Sequence, residues 1–281
     1  MAHFICSTCG TQFAESDSAP ASCTVCMDER QFIGKEGQRW TTLDALRHRH
    51  RNAIQRLEPG LYGVGTVPDF AIGQRALLLR SPSGNVLWDC IALLDDATMD
   101  VVAAFGGLAA IAISHPHYYT TMVEWAHAFG CNVYLHADDR EWVMRPDPVL
   151  RFWEGDTHSL GDIGANGLTL VRCGGHFEGG TVLHWKDGAE KRGALLTGDT
   201  VQVVMDRGYV SFMRSYPNLI PLSASRISGI TAALEPFAFD RLYGAWWDRH
   251  IDEGAKRAVA DSARRYVTEL ERPAITGHSS S

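Results

Sequence analysis

Ile113-Ser114-His115-Pro116-His117-Tyr118-Tyr119-Thr120 is the stretch on which the fold of this chain turns. Two histidines at i and i+2 follow a buried apolar run, Ala109 to Ile113, so both rings can point at one metal ion. Two later segments are built the same way. In Cys173-Gly174-Gly175-His176-Phe177-Glu178-Gly179-Gly180-Thr181 the glycines allow a tight approach and His176 sits in the loop. Leu195-Leu196-Thr197-Gly198-Asp199-Thr200 is an apolar strand ending in Gly-Asp. Imidazole nitrogens and a carboxylate oxygen suit zinc, manganese or iron, and three histidines with an open fourth position describe a hydrolytic zinc site. A lone histidine is more often a satisfied side chain, which is the reading given to His48, His50, His127, His136, His158 and His184.

The patterning around these segments alternates strand and helix. Spacing predicts an amphipathic helix from Thr42 to Leu57, then a hairpin of Ala76–Leu79 and Val86–Asp89 joined by a turn at Ser81 to Gly84. Helix is expected at 99–105, 121–129 and 138–144, and buried strand at 109–113 and 131–135. Further strands are expected at 150–153, 168–171, 181–185, 194–197 and 241–246, with helices at 224–234 and 253–270. Such an order implies two sheets with helices on their outer faces.

Composition narrows the function. The chain has 281 residues and 45% apolar content, enough for a sizeable core. With 26 basic against 33 acidic residues the net charge is −7, which disfavours nucleic acid and anionic lipid as partners. The longest uncharged apolar run, Val101 to Ile113, has 13 residues, short of the roughly 20 a bilayer requires. Because the N-terminal residues lack a basic stretch followed by an apolar core, a cytoplasmic location is expected.

Of seven cysteines, four form two Cys-x-x-Cys pairs, Cys6/Cys9 and Cys23/Cys26, separated by 13 residues. Residues 1–40 are poor in aliphatics and need a staple, and four thiolates around one structural zinc supply it. The expected organisation is therefore a four-cysteine zinc module at 1–40, zinc-ribbon-like, followed by a second domain at 41–281. Cys90, Cys131 and Cys173 read as small core residues.

The three segments, in their order, resemble the metallo-β-lactamase-fold hydrolases, whose signature runs His-x-His-x-Asp-His, a glycine-flanked His, a Gly-Asp and a final His. The likeness covers roughly residues 55 to 281 and implies an αββα sandwich, an α+β fold. It assigns His115, His117 and His176 as metal ligands and Asp199 as the aspartate that usually bridges two metals. Tyr119 and Thr120 stand where the family has Asp and His, so a single active-site metal is expected. Tyr243 to Asp248 occupies the place of the final histidine, and His250 lies several residues late.

The expected chemistry is hydrolysis of a small ester, thioester, lactone or related substrate by one zinc or another divalent metal, with a glyoxalase-II-like branch favoured. Asp199 would be a fourth ligand or the base that orients water, and Tyr119 or Tyr118 would donate to an oxyanion. Trp125, Trp142, Trp153, Trp246 and Trp247 could line a pocket, although most read as core. The competing expectation is a weak or inactive metal- or ligand-binding protein on the same scaffold.

Overall fold

The computed structural model describes residues 1–81 and 84–272, so Pro82 and Ser83 of the expected turn lie outside it. Among the described residues, two large sheets face each other. A seven-stranded sheet runs in sequence order through Arg51–Glu58, Leu61–Val67, Arg75–Leu79, Val86–Trp88, Ala110–Ala112, Asn132–His136 and Leu150–Trp153. Its first four strands pair antiparallel and the rest parallel, as helical crossovers require. The six-stranded sheet runs Thr157–Ser159, Leu168–Arg172, Thr181–Trp185, Ala194–Gly198, Arg241–Gly244 and His250–Ile251.

Period-two alternation explains why these strands are buried on both faces. Leu77, Leu79, Val86 and Trp88 point inward and meet Leu168, Leu170, Leu183 and Leu196 of the other sheet. Their neighbours Ala76, Leu78 and Leu87 point outward, under Val102 of helix Asp96–Ala104 and Val123 and Trp125 of helix Met122–Phe129. On the far side Val182, Leu195 and Leu242 pack beneath Ile227 and Ile230 of helix Ala224–Leu234 and Val259 of helix Ala255–Leu270. Each such leucine or isoleucine contributes roughly 1.5–3 kcal/mol on burial. The layers are thus α, β, β, α, the sandwich the resemblance implied.

One local expectation needs correction, and one strand was not foreseen. The helix expected over Thr42–Leu57 stops at Arg49 and residues 51–58 form an edge strand. Thr42 caps the short helix through Ala45 N, but His50 turns extended, and pairing with Leu61–Val67 then outweighs helical spacing. Ile54 and Leu57, three apart, share a face only in a helix; in the strand they part, Ile54 packing on the outer core and Leu57 on the core between the sheets. The second strand, Leu61–Val67, has no sequence signal because Gly63 and Gly65 interrupt it. The glycines are needed where they are: a Cβ on either would stand 2.7–2.8 Å from the ring of Trp247.

Residues near the N-terminus are stitched to this body. Strand Ile5–Cys6 pairs with Trp40–Thr41, while Gln12 N donates to Thr120 O and Ala14 N to Met144 O.

Candidate metal centre

The site lies where strand ends of the two sheets meet. After strand Ala110–Ala112 the chain enters His115 fully extended, and Pro116 then opens the tight turn Pro116–Tyr118, which brings His117 back beside it. Thr181 N of the second sheet donates to Ser114 O at 2.9 Å and locks the edges together. His176 comes from the glycine loop preceding strand Thr181–Trp185, where Gly175 has φ +85 and no room for a Cβ beside Ile230. Asp199 follows Gly198 at the end of strand Ala194–Gly198.

One ligand atom from each of His115, His117, His176 and Asp199 falls within 4.8 Å of the others, and all four residues are buried. Asp199 Oδ1 lies 2.9 Å from His115 Nε2, and His176 Nε2 lies 3.2 Å from His117 Nδ1. A tetrahedron with zinc–nitrogen bonds of about 2.0–2.1 Å has edges of about 3.3–3.4 Å. Close as they are, His115 Nε2 and Asp199 Oδ1 are not aligned for a hydrogen bond with each other and have no other partner, which is costly for buried polar atoms. A divalent cation fits this donor set and satisfies it.

Partners outside the cluster fix which ring nitrogen faces inward. Ser114 Oγ lies 3.0 Å from His115 Nδ1, and Ser114 N donates to Asp89 Oδ1 at 2.7 Å. His176 Nδ1 donates to Met213 O at 3.0 Å, which leaves its Nε2 lone pair free. The Phe177 ring packs against all three histidines at centroid distances of 4.9–5.4 Å. Sequence reasoning missed Asp89, Ser114, Met213 and Phe177. Asp89 alone had a signal, since like Asp199 it ends an apolar strand, Val86–Trp88.

Burial, then the charge of neighbouring His176, pushes His117 well below the usual imidazole range, and burial pushes His176 down to about 4. Burial alone would raise Asp199, but His115 and then His176 outweigh it and hold the carboxyl well below its usual range. Near neutral pH His117 and His176 are therefore neutral imidazoles and Asp199 an ionised carboxylate, the forms that bind metal. Asp89, sealed in the second layer, is pushed up to about 7 by burial.

His117, His176 and Asp199 open onto a cavity of about 460 Å³. Its walls combine Ile72, Tyr216 and Trp246 with Arg30, Gln31 and Phe32 from the N-terminal forty residues. Tyr216, unmarked by any motif, donates its hydroxyl to Asp199 O at 3.0 Å. Tyr119 is not part of this wall: its hydroxyl faces Asp139 O at 3.5 Å from within the core, so its expected oxyanion role lacks a geometric basis. Tyr118 stands edge-on to His115, at 4.8 Å between ring centroids. Of Trp125, Trp142, Trp153, Trp246 and Trp247, Trp246 lines the cavity, held by its Nε1 donating to Ile72 O. His250 stacks on Tyr243 with Nε2 3.6 Å from Asp252, outside the cluster.

Cys6, Cys9, Cys23 and Cys26 form a second cluster, buried, with ligand atoms within 4.8 Å of one another. Sulfur separations of 3.6 Å for Cys6–Cys26 and Cys9–Cys23 match the roughly 3.8 Å edge of a tetrahedron with zinc–sulfur bonds of about 2.3 Å. Gly10, at φ +82, makes the turn that aims the first pair, and its N–H donates to Cys6 O. Cys23 precedes the four-residue helix Thr24–Met27 that carries Cys26. Gln38 Nε2 donates to Cys6 Sγ at 3.1 Å. Hydrogen bonding among the sulfurs, led by Cys23, drives Cys6 down and Cys26 up.

No family model matches the chain. Its fold is shared with solved metallo-β-lactamases, including DIM-1 (TM-score 0.58, 12% identity, 77% of this chain and 98% of that one). FIM-1 from Pseudomonas aeruginosa, in a mono-zinc form, gives TM-score 0.57 at 11% identity over 77% of this chain and 96% of that one. A B3 metallo-β-lactamase with an active-site glutamic acid gives 0.51 at 18%, over 77% and 89% respectively. Among the described residues no helix is long and apolar enough to cross a membrane. With 49% identity over 272 residues, spanning 96% of this chain and 97% of the uncharacterized protein YmaE of Bacillus subtilis (strain 168), the chain belongs to the YmaE family, and it has the metallo-β-lactamase fold.

Proposed function

We propose that the protein is a metal-dependent hydrolase of a small ester, thioester, lactone or related substrate, with one ion, zinc by donor chemistry, at His115, His117 and His176. The observation that carries this reading is the convergence of buried imidazole nitrogens and an unpartnered carboxylate oxygen at the floor of an apolar cavity. An ion bound there supplies Lewis acidity, polarising a carbonyl and lowering the pKa of water toward about 7. Asp199, ionised at neutral pH, is the fourth ligand or the base that orients the attacking water. Tyr216 holds the Asp199 backbone in place. Phe32, Ile72 and Trp246 exclude bulk water and receive the apolar part of a substrate, in a cavity of the volume small-molecule sites have. Within this class a thioester, as in the glyoxalase-II-like branch, is the finer reading.

The N-terminal forty residues are read as a four-cysteine zinc module and residues 41–281 as the catalytic domain. Unpaired cysteines at all seven positions support a reducing compartment, the cytoplasm, and the acidic balance supports a small-molecule partner over nucleic acid or membrane.

One observation favours a second reading, a metal- or ligand-binding protein without turnover: Tyr119 and Thr120 are buried and bring no second ligand set to the cavity. The deciding experiment loads metal-free protein in turn with zinc, manganese and iron and assays an ester, thioester and lactone panel. Turnover abolished by His176→Ala supports the hydrolase. Absence of turnover with every metal, in protein shown to be loaded, supports the binding protein.

A further inference from the structure

Arg30 is buried yet belongs to none of the chemistry above. It lies four residues beyond Cys26 and is only 8% exposed. Its guanidinium sits 3.9 Å over the centroid of Phe177, the ring packed against all three histidines, and 5.0 Å from that of Trp142, which also packs on the cysteine cluster. Asp28 neutralises it with a two-pronged pair, Nε to Oδ1 at 2.5 Å and Nη2 to Oδ2 at 2.9 Å. The remaining Nη1 donates to His176 O at 3.3 Å.

These contacts close a circuit around one ligand. His176 is gripped at its backbone by Arg30 and at its ring by Met213 O. The two grips are tied to each other, because Ser215 Oγ, two residues beyond Met213, donates to Arg30 O at 3.2 Å. Asn218 Nδ2 adds bonds to Glu29 O and Gln31 O on either side. Residues 28–31 have no hydrophobic core of their own. They follow directly on helix Thr24–Met27, whose Cys26 belongs to the four-cysteine cluster, and that cluster shares Trp142 with the Arg30 guanidinium.

We infer that Arg30 is a positioning residue for the three-histidine site, delivered to it by the four-cysteine module, so that filling the cysteine cluster raises the affinity of the histidine cluster for metal. The inference rests on the histidines holding a metal and not on hydrolysis. Outer-layer partners of metal ligands are worth about 10–100-fold in affinity. A planar fork that clamps Asp28 while reaching His176 is a geometry lysine cannot reproduce.

The test titrates full-length, metal-free protein with cobalt(II) alone. Thiolate-to-cobalt charge-transfer absorption reports the cysteine cluster; both clusters give d–d bands, so the histidine cluster is read from the d–d absorption that grows without a matching rise in charge transfer. Arg30→Ala is expected to leave the thiolate signal unchanged and weaken the histidine site about 10–100-fold, with Arg30→Lys recovering only part of the loss. Cys9→Ser should remove the thiolate signal and weaken the histidine site by a similar factor, with no further drop when Arg30→Ala is added, since both act along one path. Histidine-site affinity within about twofold of the parent in Arg30→Ala overturns the inference, as does full affinity in a folded Cys9→Ser protein. Should Cys9→Ser fail to fold, the two Arg30 variants decide. A protein that hydrolyses nothing yet shows this coupling keeps the inference and loses the hydrolase reading; one that hydrolyses with Arg30→Ala indifferent does the converse.

Discussion

Substituting Gly198 by alanine loads the second layer of the metal centre without touching a ligand. Gly198 sits at φ +56, and a Cβ there would stand 2.5 Å from Ser114 Oγ, 3.0 Å from Ser114 Cβ and 3.2 Å from Asp89 Oδ2. The left-handed backbone alone costs alanine about 1–2 kcal/mol. Overpacking against Ser114 adds about 1–3 kcal/mol, for a loss of about 2–5 kcal/mol if nothing moves. Ser114 can relieve the clash by rotating its hydroxyl, but that hydroxyl is the 3.0 Å neighbour of His115 Nδ1, so relief releases the imidazole. The strain then appears as metal affinity lowered about 10–100-fold instead of as lost stability. Urea unfolding of the metal-free protein measures the first outcome and competition with a chelator the second. Gly229→Ala is the control: this glycine lies inside helix Ala224–Leu234 with open space around its would-be Cβ, so alanine should gain about 0.5–1 kcal/mol. A Gly198→Ala protein with parental stability and metal affinity within about twofold would refute this account of the second layer.

Elemental analysis should find two metal ions per chain, one per cluster, and Cys9→Ser should lose one of them and expose residues 1–40 to protease. In metal-free protein His176 should contribute a loss of stability on acidification, while Asp89, pushed up to about 7 by burial, contributes with the opposite sign. His176 titrates at about 4 when folded against about 6.5 when unfolded, so the unfolded chain binds the proton first. The share of stability owed to His176 is therefore full above about pH 6.5 and falls by on the order of 3 kcal/mol as pH drops to about 4. Urea midpoints across that range, taken as the difference between parent and His176→Gln, isolate this share, and a difference that does not change with pH contradicts the buried neutral imidazole. For the proposed hydrolase, Asp199→Asn should lower kcat more than it changes KM, as expected of a group acting mainly in the transition state. An unchanged kcat with raised KM would instead make Asp199 a binding residue.

Much of this was legible in the sequence because the informative features are local. Apolar runs ending in ligand-type residues mark strand ends, and Leu183, Leu195 and Leu196 are buried because β periodicity dictates it. Cys-x-x-Cys spacing and histidines at i and i+2 are set by the reach of a tight turn, so the eight residues of the two clusters could be named from spacing and resemblance. What no local pattern carries is partnership across the chain. Gly63 and Gly65 look like strand breakers until Trp247 fills the space above them. Tyr119, adjacent in sequence to the metal motif, points into the core because the turn at Pro116–Tyr118 rotates it away, whereas Tyr216 reaches Asp199 from seventeen residues on. Arg30 meets His176 across 146 residues, a contact that exists only because two sheets and a cysteine-stapled segment converge there. Sequence sets which chemistry each strand end can offer; only the packing of layers decides which ends share a cavity, since contact energy depends on distance in space and local propensity on distance along the chain.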